Sequence, residues 1–487
     1  MNVVQVDVAI IGAGTAGLAA YAAARAAGAL ALLIEGGAGG TSCARNACMP
    51  SKLLIAAADA AHAVATAPGF GLRVEGALRV DGRAVMDRVR RERNRFVGLV
   101  VDDVAHIPAA DRLHGRAVFA DNHTLDVGES TRVVAATVVI ATGSRPSRPH
   151  AYDALGDRLL VSDDLFEWEE LPRSVAIIGA GIVGLELGQA LQRLGVRVVV
   201  LGRHGHVGPL GDPAVLACAT AAFRRELALE PDAHITEVHR EHDRVAIEWS
   251  APGTPRQVQT FDYALLATGR LPNVDGIGLS RTSARLDAEG VPVYDPLTTQ
   301  TMNAYGNGSK SSPIFVAGDA GNFIPLLHEA ADEGRIAGTN AARAALGKTV
   351  KPGLRRSSIR LAFTDPQIAI VGDGFRALRA GSFVTGRVDF ANQGRARIML
   401  RNKGLLNVYA DMETGRFLGA EMVAPGGEHL AHLLAWALGN EMTVARMLEM
   451  PFYHPVLEEG LRTALRDAAA KLDATRHVRS ERVAAIG

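Results

Sequence analysis

Residues 3–11 form an apolar β-type run ending in Val8-Ala9-Ile10-Ile11. A short apolar segment bounded by glycines predicts a buried strand. The glycines follow at once, as Gly12-Ala13-Gly14-Thr15-Ala16-Gly17, and the Ala-rich stretch 18–27 behind them predicts a helix. A second apolar run, 29–34, ends on Glu35. The whole order then returns: an apolar run at 174–178, glycines at Gly179, Gly181 and Gly184, a helical stretch at 185–194 and an apolar run at 197–201. Two strand, turn, helix, strand units in one chain predict an α/β fold with parallel sheets.

A Gly-x-Gly-x-x-Gly pattern carries meaning only between a strand and a helix, and both copies have that setting. Gly12 permits the tight turn, Gly14 lets the backbone approach a pyrophosphate, and Gly17 lets the helix pack on the strand. The helix N-terminus then faces the phosphates. Glu35, at the end of the next strand, is placed to accept hydrogen bonds from ribose hydroxyls. The pattern predicts two Rossmann-like dinucleotide sites. They differ in the acid: the second site reads Leu201-Gly202-Arg203-His204, with Gly202 where the carboxylate would stand. Arg203 and His204 could receive a 2′-phosphate, so the second site leans toward NADP. On this reading, Glu at 202 with a neutral residue at 203 swings preference toward NAD.

The 487 residues exceed what one core holds, and roughly three domains are expected. Lys plus Arg equal Asp plus Glu at 52 each, and no basic stripe is interleaved with aromatics, which argues against a nucleic-acid surface. No run approaches the roughly 20 uninterrupted apolar residues of a membrane span. The strand beginning at position 3 leaves no room for a signal peptide, so a cytoplasmic location is expected. Of three cysteines, Cys43 and Cys48 lie five residues apart just behind the first glycine pattern, and Cys218 stands alone. In a reducing compartment such a pair is catalytic or metal-binding rather than structural. Further Cys or His ligands at short spacing are absent from the run, so the pair reads as a redox disulfide with no metal.

These residues resemble the FAD-dependent pyridine nucleotide disulfide oxidoreductases, the group that includes dihydrolipoyl dehydrogenase, glutathione reductase and mercuric reductase. The resemblance extends to Ala141-Thr142-Gly143 and Ala267-Thr268-Gly269-Arg270, which look like the family's strand-end turns. It extends to Gly318-Asp319, similar to the second FAD motif, and to His454-Pro455 with Glu459, similar to the family's His-Pro-x-x-x-Glu. It implies an FAD domain over 1–150 and 282–350, an NAD(P) domain over 151–281, and a C-terminal α+β interface domain over 351–487 that makes a homodimer. The stretch 303–312 reads as a surface loop, and Lys351-Pro352-Gly353 as a linker.

The resemblance also implies roles. Cys43 meets the substrate disulfide, and Cys48 lies nearer the flavin. Lys52 approaches the flavin and pairs with Glu186. His454, oriented by Glu459, is the base, supplied to the partner subunit's site. Thr41, Thr142 and Asp319 join the glycines as FAD contacts, and Gly269 and Arg270 belong to the cofactor set. His328 reads as packing and Cys218 as a small buried apolar residue. Two positions depart from the family's Cys-x-Asn-x-Gly-Cys: Arg45 replaces Asn and Ala47 replaces Gly. If the glycine serves a left-handed turn, Ala47 shifts the backbone there.

With no cysteine in 460–487, mercuric reductase and the large thioredoxin reductases are rejected, and the presence of Cys43 sets the chain apart from the soluble transhydrogenases. The expectation is a dihydrolipoyl dehydrogenase type acting on a small disulfide or dithiol such as lipoamide, carried on a domain or free. The alternatives are an NADPH-dependent glutathione-type reductase and a flavoprotein subunit with a structural or sensing role.

Overall fold

The computed structural model describes residues 1–304 and 312–484, so part of the 303–312 loop lies outside the described residues. The chain divides into two compact units. The first joins Met1–Pro50, Val89–Ser147 and Arg270–Arg356; the second joins Ser51–Arg88, Arg148–Gly269 and Ser357–Gly487.

The first unit is built on a sheet of seven strands. Strand Asn2–Ile11 lies parallel between Ala31–Glu35 and Thr131–Ile140, with Ile314–Val316 parallel to the latter. Val8, Ala9 and Ile10 are wholly buried, because a parallel sheet covered on both faces needs apolar residues in succession. Helix Thr15–Ala26 covers one face. It packs on helix Leu327–Ala345 through Gly334 and Gly338, where a side chain would run into the backbone of Ala16 and Ala20. The helix begins three residues earlier than its apolar pattern suggests, since Gly14 already serves as its N-cap.

The second unit holds three sheets. Strands Ala228–Glu230, Arg197–Leu201, Ser174–Ile178, Tyr263–Leu266 and Leu159–Val161 form a parallel sheet in that order, the second Rossmann-like layer. Three antiparallel strands between His234 and Phe261 form the next. The third is a five-stranded antiparallel sheet in the order Ile359–Ala362, Gln367–Val371, Phe417–Ala424, Leu405–Asp411, Phe383–Asp389. Helices Gly427–Gly439 and Glu458–Ala484 supply its apolar cover. The architecture is α/β with an α+β C-terminal part, as the sequence pattern and the resemblance imply.

The helical stretch 42–70 is, by length and composition alone, long and apolar enough to cross a membrane, which the search for uninterrupted apolar runs does not register. Its polar residues are tied to folded elements: Asp59 meets Arg193 at 2.9 Å, and Lys52 meets Glu186.

Candidate active site

The two glycine turns have nearly the same geometry. Gly12 has φ +107° and Gly179 φ +119°, values closed to most L side chains. A side chain on either would run into the carbonyl of Ala141 or Ala267, so each Ala-Thr-Gly strand end sits against its glycine turn. A side chain on Gly17 or Gly184 would overlap the carbonyl of Gly12 or Gly179, which is the close helix approach expected. Gly14 and Gly181 cap their helices and face open space. A side chain there would fill a cradle lined by backbone amides at a helix N-terminus, the place where phosphate binds.

In the first unit, Glu35 takes an N–H from Ala13 at 2.8 Å and one from Gly37 at 2.6 Å. Its carboxylate is thus fixed to the glycine turn with lone pairs left for ribose hydroxyls. Across the turn, Asp319 accepts the Ser144 hydroxyl at 2.6 Å, while Arg270 donates to the Ser144 hydroxyl and carbonyl, both at 2.8 Å. Ser144, which follows Ala-Thr-Gly directly, escaped the sequence reading; its adjacency to that motif is the available signal. Glu333, buried, accepts the Gly318 N–H and is held by Arg355 at 2.7 Å. Burial pushes the Glu333 carboxyl up, against the pull of Arg355. The Thr142 hydroxyl is buried and unpartnered beside the Gly12 turn. An orphaned donor next to an open phosphate cradle, with Glu35 and Asp319 fixed around it, fits a bound FAD. His328 lies at the start of helix Leu327–Ala345, with its Nε2 4.0 Å from buried Glu329.

Cys43 lies in the short helix Ser42–Arg45, and Cys48 opens helix Cys48–Thr66; both are half-buried. The Thr41 hydroxyl caps the short helix by accepting the Ala44 N–H. The two departures from the family pattern have physical accounts. Arg45 folds back and donates to the Gly39 carbonyl at 2.6 and 3.1 Å, closing the glycine loop ahead of Cys43. Ala47 is not among the residues with positive φ, so the turn does not ask a left-handed backbone of it.

In the second unit, Lys52, one helical turn beyond Cys48, reaches Glu186 at 2.8 Å. Glu186 is only 4 % exposed, and its other oxygen accepts the Phe363 N–H at 2.8 Å. The Lys52 ammonium also lies over the Phe363 ring, 4.6 Å from its centroid. His454 Nδ1 is 3.0 Å from both carboxylate oxygens of Glu459. That hydrogen bond holds the Glu459 carboxyl below the usual range. The imidazole is thereby oriented with its far nitrogen outward, on an exposed side chain.

The nicotinamide-side reading needs one correction. A side chain on Gly202 would meet the Pro231 carbonyl and the Ala180 Cβ, each at 2.8 Å. Glycine there is a packing requirement, and an acid cannot be restored by substitution alone. The following loop curls back, with Gly208 donating to the Ala180 carbonyl and His204 donating through its backbone to Asp232. Arg203 and His204 are exposed along it. Its far end is pinned by buried Glu421, which accepts the N–H groups of Gly211 and Asp212 at 2.8 Å.

A sequence profile for pyridine nucleotide-disulphide oxidoreductases matches residues 6–334, and the dimerisation-domain profile of the same group matches 359–465. The chain belongs to this family. Family membership carries use of FAD and NAD(P)H and an oxidoreductase activity. Relatives divide between two activities. The mercuric reductase of Shigella flexneri is 32 % identical over 94 % of this chain and 80 % of its own, and the dihydrolipoyl dehydrogenase of Bacillus subtilis 29 % identical over 94 % and 97 %. Among solved structures, the HOCl-induced flavoprotein disulfide reductase RclA of Escherichia coli superposes with a TM-score of 0.79 at 21 % identity, covering 96 % of this chain and 99 % of its own. LpdA of Mycobacterium tuberculosis gives 0.78 at 24 %, covering 95 % and 99 %. These last two likenesses speak to the fold.

Proposed function

We propose that this chain is a homodimeric dithiol–disulfide oxidoreductase of the dihydrolipoyl dehydrogenase type, working in the reducing cytoplasm and favouring NADP at its second dinucleotide site. FAD and the nicotinamide dinucleotide, when bound, supply hydride and electron-pair transfer. The residues to hold FAD are Gly12, Gly14, Gly17, Glu35, Thr41, Ala141, Thr142, Gly143, Gly318 and Asp319. Those for the nicotinamide dinucleotide are Gly179, Gly181, Gly184, Arg203, His204 and Gly269, while Arg270 braces Ser144 beside Asp319 on the FAD side.

The protein's own part is thiol exchange. In the reducing direction the Cys43 thiolate attacks one sulfur of the substrate disulfide, forming a mixed disulfide and releasing one thiolate. Cys48 then attacks Cys43 sulfur, closing the Cys43–Cys48 disulfide and releasing the second thiol. Two protons leave with the two product thiols, and the substrate gains the two electrons that the enzyme dithiol loses. His454 of the partner subunit moves the proton at the substrate sulfur, and Glu459 holds that ring's tautomer. Lys52, locked by Glu186, is a cation on the Cys48 helix that orients the far end of the relay.

The observation that carries this reading is the His454–Glu459 pair at 3.0 Å in a chain of this family. A base poised for a thiol proton suits dithiol chemistry. The Arg203-His204 loop favours the nicotinamide preference. Anaerobic steady-state kinetics with both nicotinamides against lipoamide, glutathione disulfide and mercuric ion test the reading. Lipoamide turnover with NADPH is expected to dominate; turnover confined to mercuric ion overturns it.

A further inference from the structure

Between positions 395 and 403 the chain carries four cations, Arg395, Arg397, Arg401 and Lys403, and no acid. All four are exposed, and none makes a salt bridge within the described residues. The segment starts as helix Gly394–Ile398 and turns back through Leu400, whose φ is +54°. Asn402 closes the turn by donating to the Ala391 carbonyl at 2.9 Å. Ile398 and Leu400 are 58 % and 49 % exposed among these cations. An exposed apolar pair ringed by unpaired positive charge is a surface that pairing within the described chain leaves unsatisfied.

Its position gives the charge a meaning. The Gln393 side chain, 9 % exposed, accepts the Ala396 N–H at 2.7 Å and donates to the Val456 carbonyl at 2.7 Å. One buried amide therefore joins the start of the cationic helix to the His454-Pro455-Val456 turn. The Gly460 backbone fits against the Phe390 ring and the Gln393 stem, fixing the same junction from the other side. The cations thus sit on an element joined through Gln393 to the turn that presents His454, where their field acts on an arriving ion and is screened by salt. Asp389 precedes the segment in sequence, and Asp59, which feels the charge of Arg401, is already bound by Arg193.

We infer that this segment selects the disulfide substrate by charge: its natural substrate carries carboxylates or other anionic groups beside an apolar body, and Arg397, Arg401 and Lys403 draw it to His454. The inference rests on the thiol-exchange reading above. The substrate is reduced to two thiols by the two electrons of NAD(P)H, as in the family's activity, and the cations take no part in the bond changes.

The test uses the FAD-loaded enzyme with three disulfides: dianionic dithiobis(nitrobenzoate), neutral dithiodipyridine and dicationic cystamine. The wild type is expected to show kcat/KM for the dianion falling at least tenfold as salt rises from about 20 to about 300 mM, with the neutral disulfide unchanged. Arg397→Glu with Lys403→Glu should lower the dianion's kcat/KM about tenfold or more at low salt, raise that of cystamine, and leave the neutral disulfide as it was. A salt-independent dianion, or a variant that lowers all three alike, overturns the charge selection. Arg401→Gln, a milder change, should move the dianion in the same direction, and no effect counts against it. Failure of the neutral disulfide to turn over in the wild type strikes instead at the thiol-exchange reading.

Discussion

Gly202 lies so close to Pro231 that any side chain at 202 would stand 2.8 Å from the Pro231 carbonyl oxygen. On the proposed reading, selectivity at the second dinucleotide site is carried by the loop after 202 and not by residue 202 itself. Gly202→Glu is expected to lower the thermal midpoint without a swing toward NADH, contrary to what the strand-end pattern suggests. Arg203→Leu should cut the NADPH preference about tenfold, the worth of one charge-assisted contact. Paired kcat/KM values for NADH and NADPH, with a melting curve for each variant, decide this. A stable, NADH-preferring Gly202→Glu would show that Pro231 yields.

Glu186→Ala removes the acceptor of both Lys52 and the Phe363 amide. Leaving these groups without it should cost about 2 to 4 kcal/mol, toward the lower end because Lys52 keeps access to water. Glu186→Gln, which retains an acceptor, should recover about half. Thermal unfolding of the FAD-loaded protein reads both, and equal midpoints for Ala and wild type would mean the pair is energetically idle.

His454→Ala is expected to lower disulfide turnover by about 10² to 10⁴, and Glu459→Gln by less, because the carboxylate only orients the ring. Hydride transfer from the nicotinamide should persist in both. Because the folded Glu459 carboxyl titrates below its unfolded value, the pair's contribution is full above the ordinary carboxyl range and disappears as pH falls through the lowered value. The stability difference between wild type and Glu459→Gln should thus narrow as pH falls below about 4. A difference that persists undiminished through the acid limb contradicts the hydrogen bond.

Arg45→Ala frees the glycine loop ahead of Cys43. A lost charged hydrogen bond to a backbone carbonyl is worth about 1.5 to 3 kcal/mol locally. Faster proteolysis near Gly39 and weaker FAD retention are expected, and unchanged cleavage would assign Arg45 no structural role.

Burial pushes the Cys218 thiol up, so it should alkylate slowly at neutral pH. Cys218→Ala should keep full disulfide turnover, whereas Cys43→Ser and Cys48→Ser should each abolish it. Mass mapping of alkylated peptides and a turnover assay settle the three positions.

Much of this was legible from spacing. Gly12, Gly17, Gly179 and Gly184 are dictated by backbone collisions that only glycine avoids, and such constraints leave a fixed pattern in the chain. Spacing put Lys52 one helical turn beyond Cys48, but its pairing with Glu186 followed from the family resemblance and not from spacing. What could not be read were contacts between residues far apart in sequence: Ser144 with Asp319 and Arg270, Gln393 with Val456, and Pro231 against Gly202. The last shows the limit most clearly. A missing acid and a forbidden side chain look alike as a glycine in sequence, and only the packing partner separates them.

The buried Glu421 clamp on Gly211 and Asp212 makes the loop bearing Arg203 and His204 continuous with the sheet that contains strand Phe417–Ala424. Asp212 reinforces the clamp by accepting from Asn407 and Tyr409 of the neighbouring strand. Glu421 lies within the stretch that matches the dimerisation domain, so on the proposed reading a redesign of the coenzyme loop also touches that domain's frame. If the proposed reading of that loop holds, swaps made in it alone inherit a fixed frame, and edits at Glu421, more than two hundred positions along the chain, shift coenzyme choice as well.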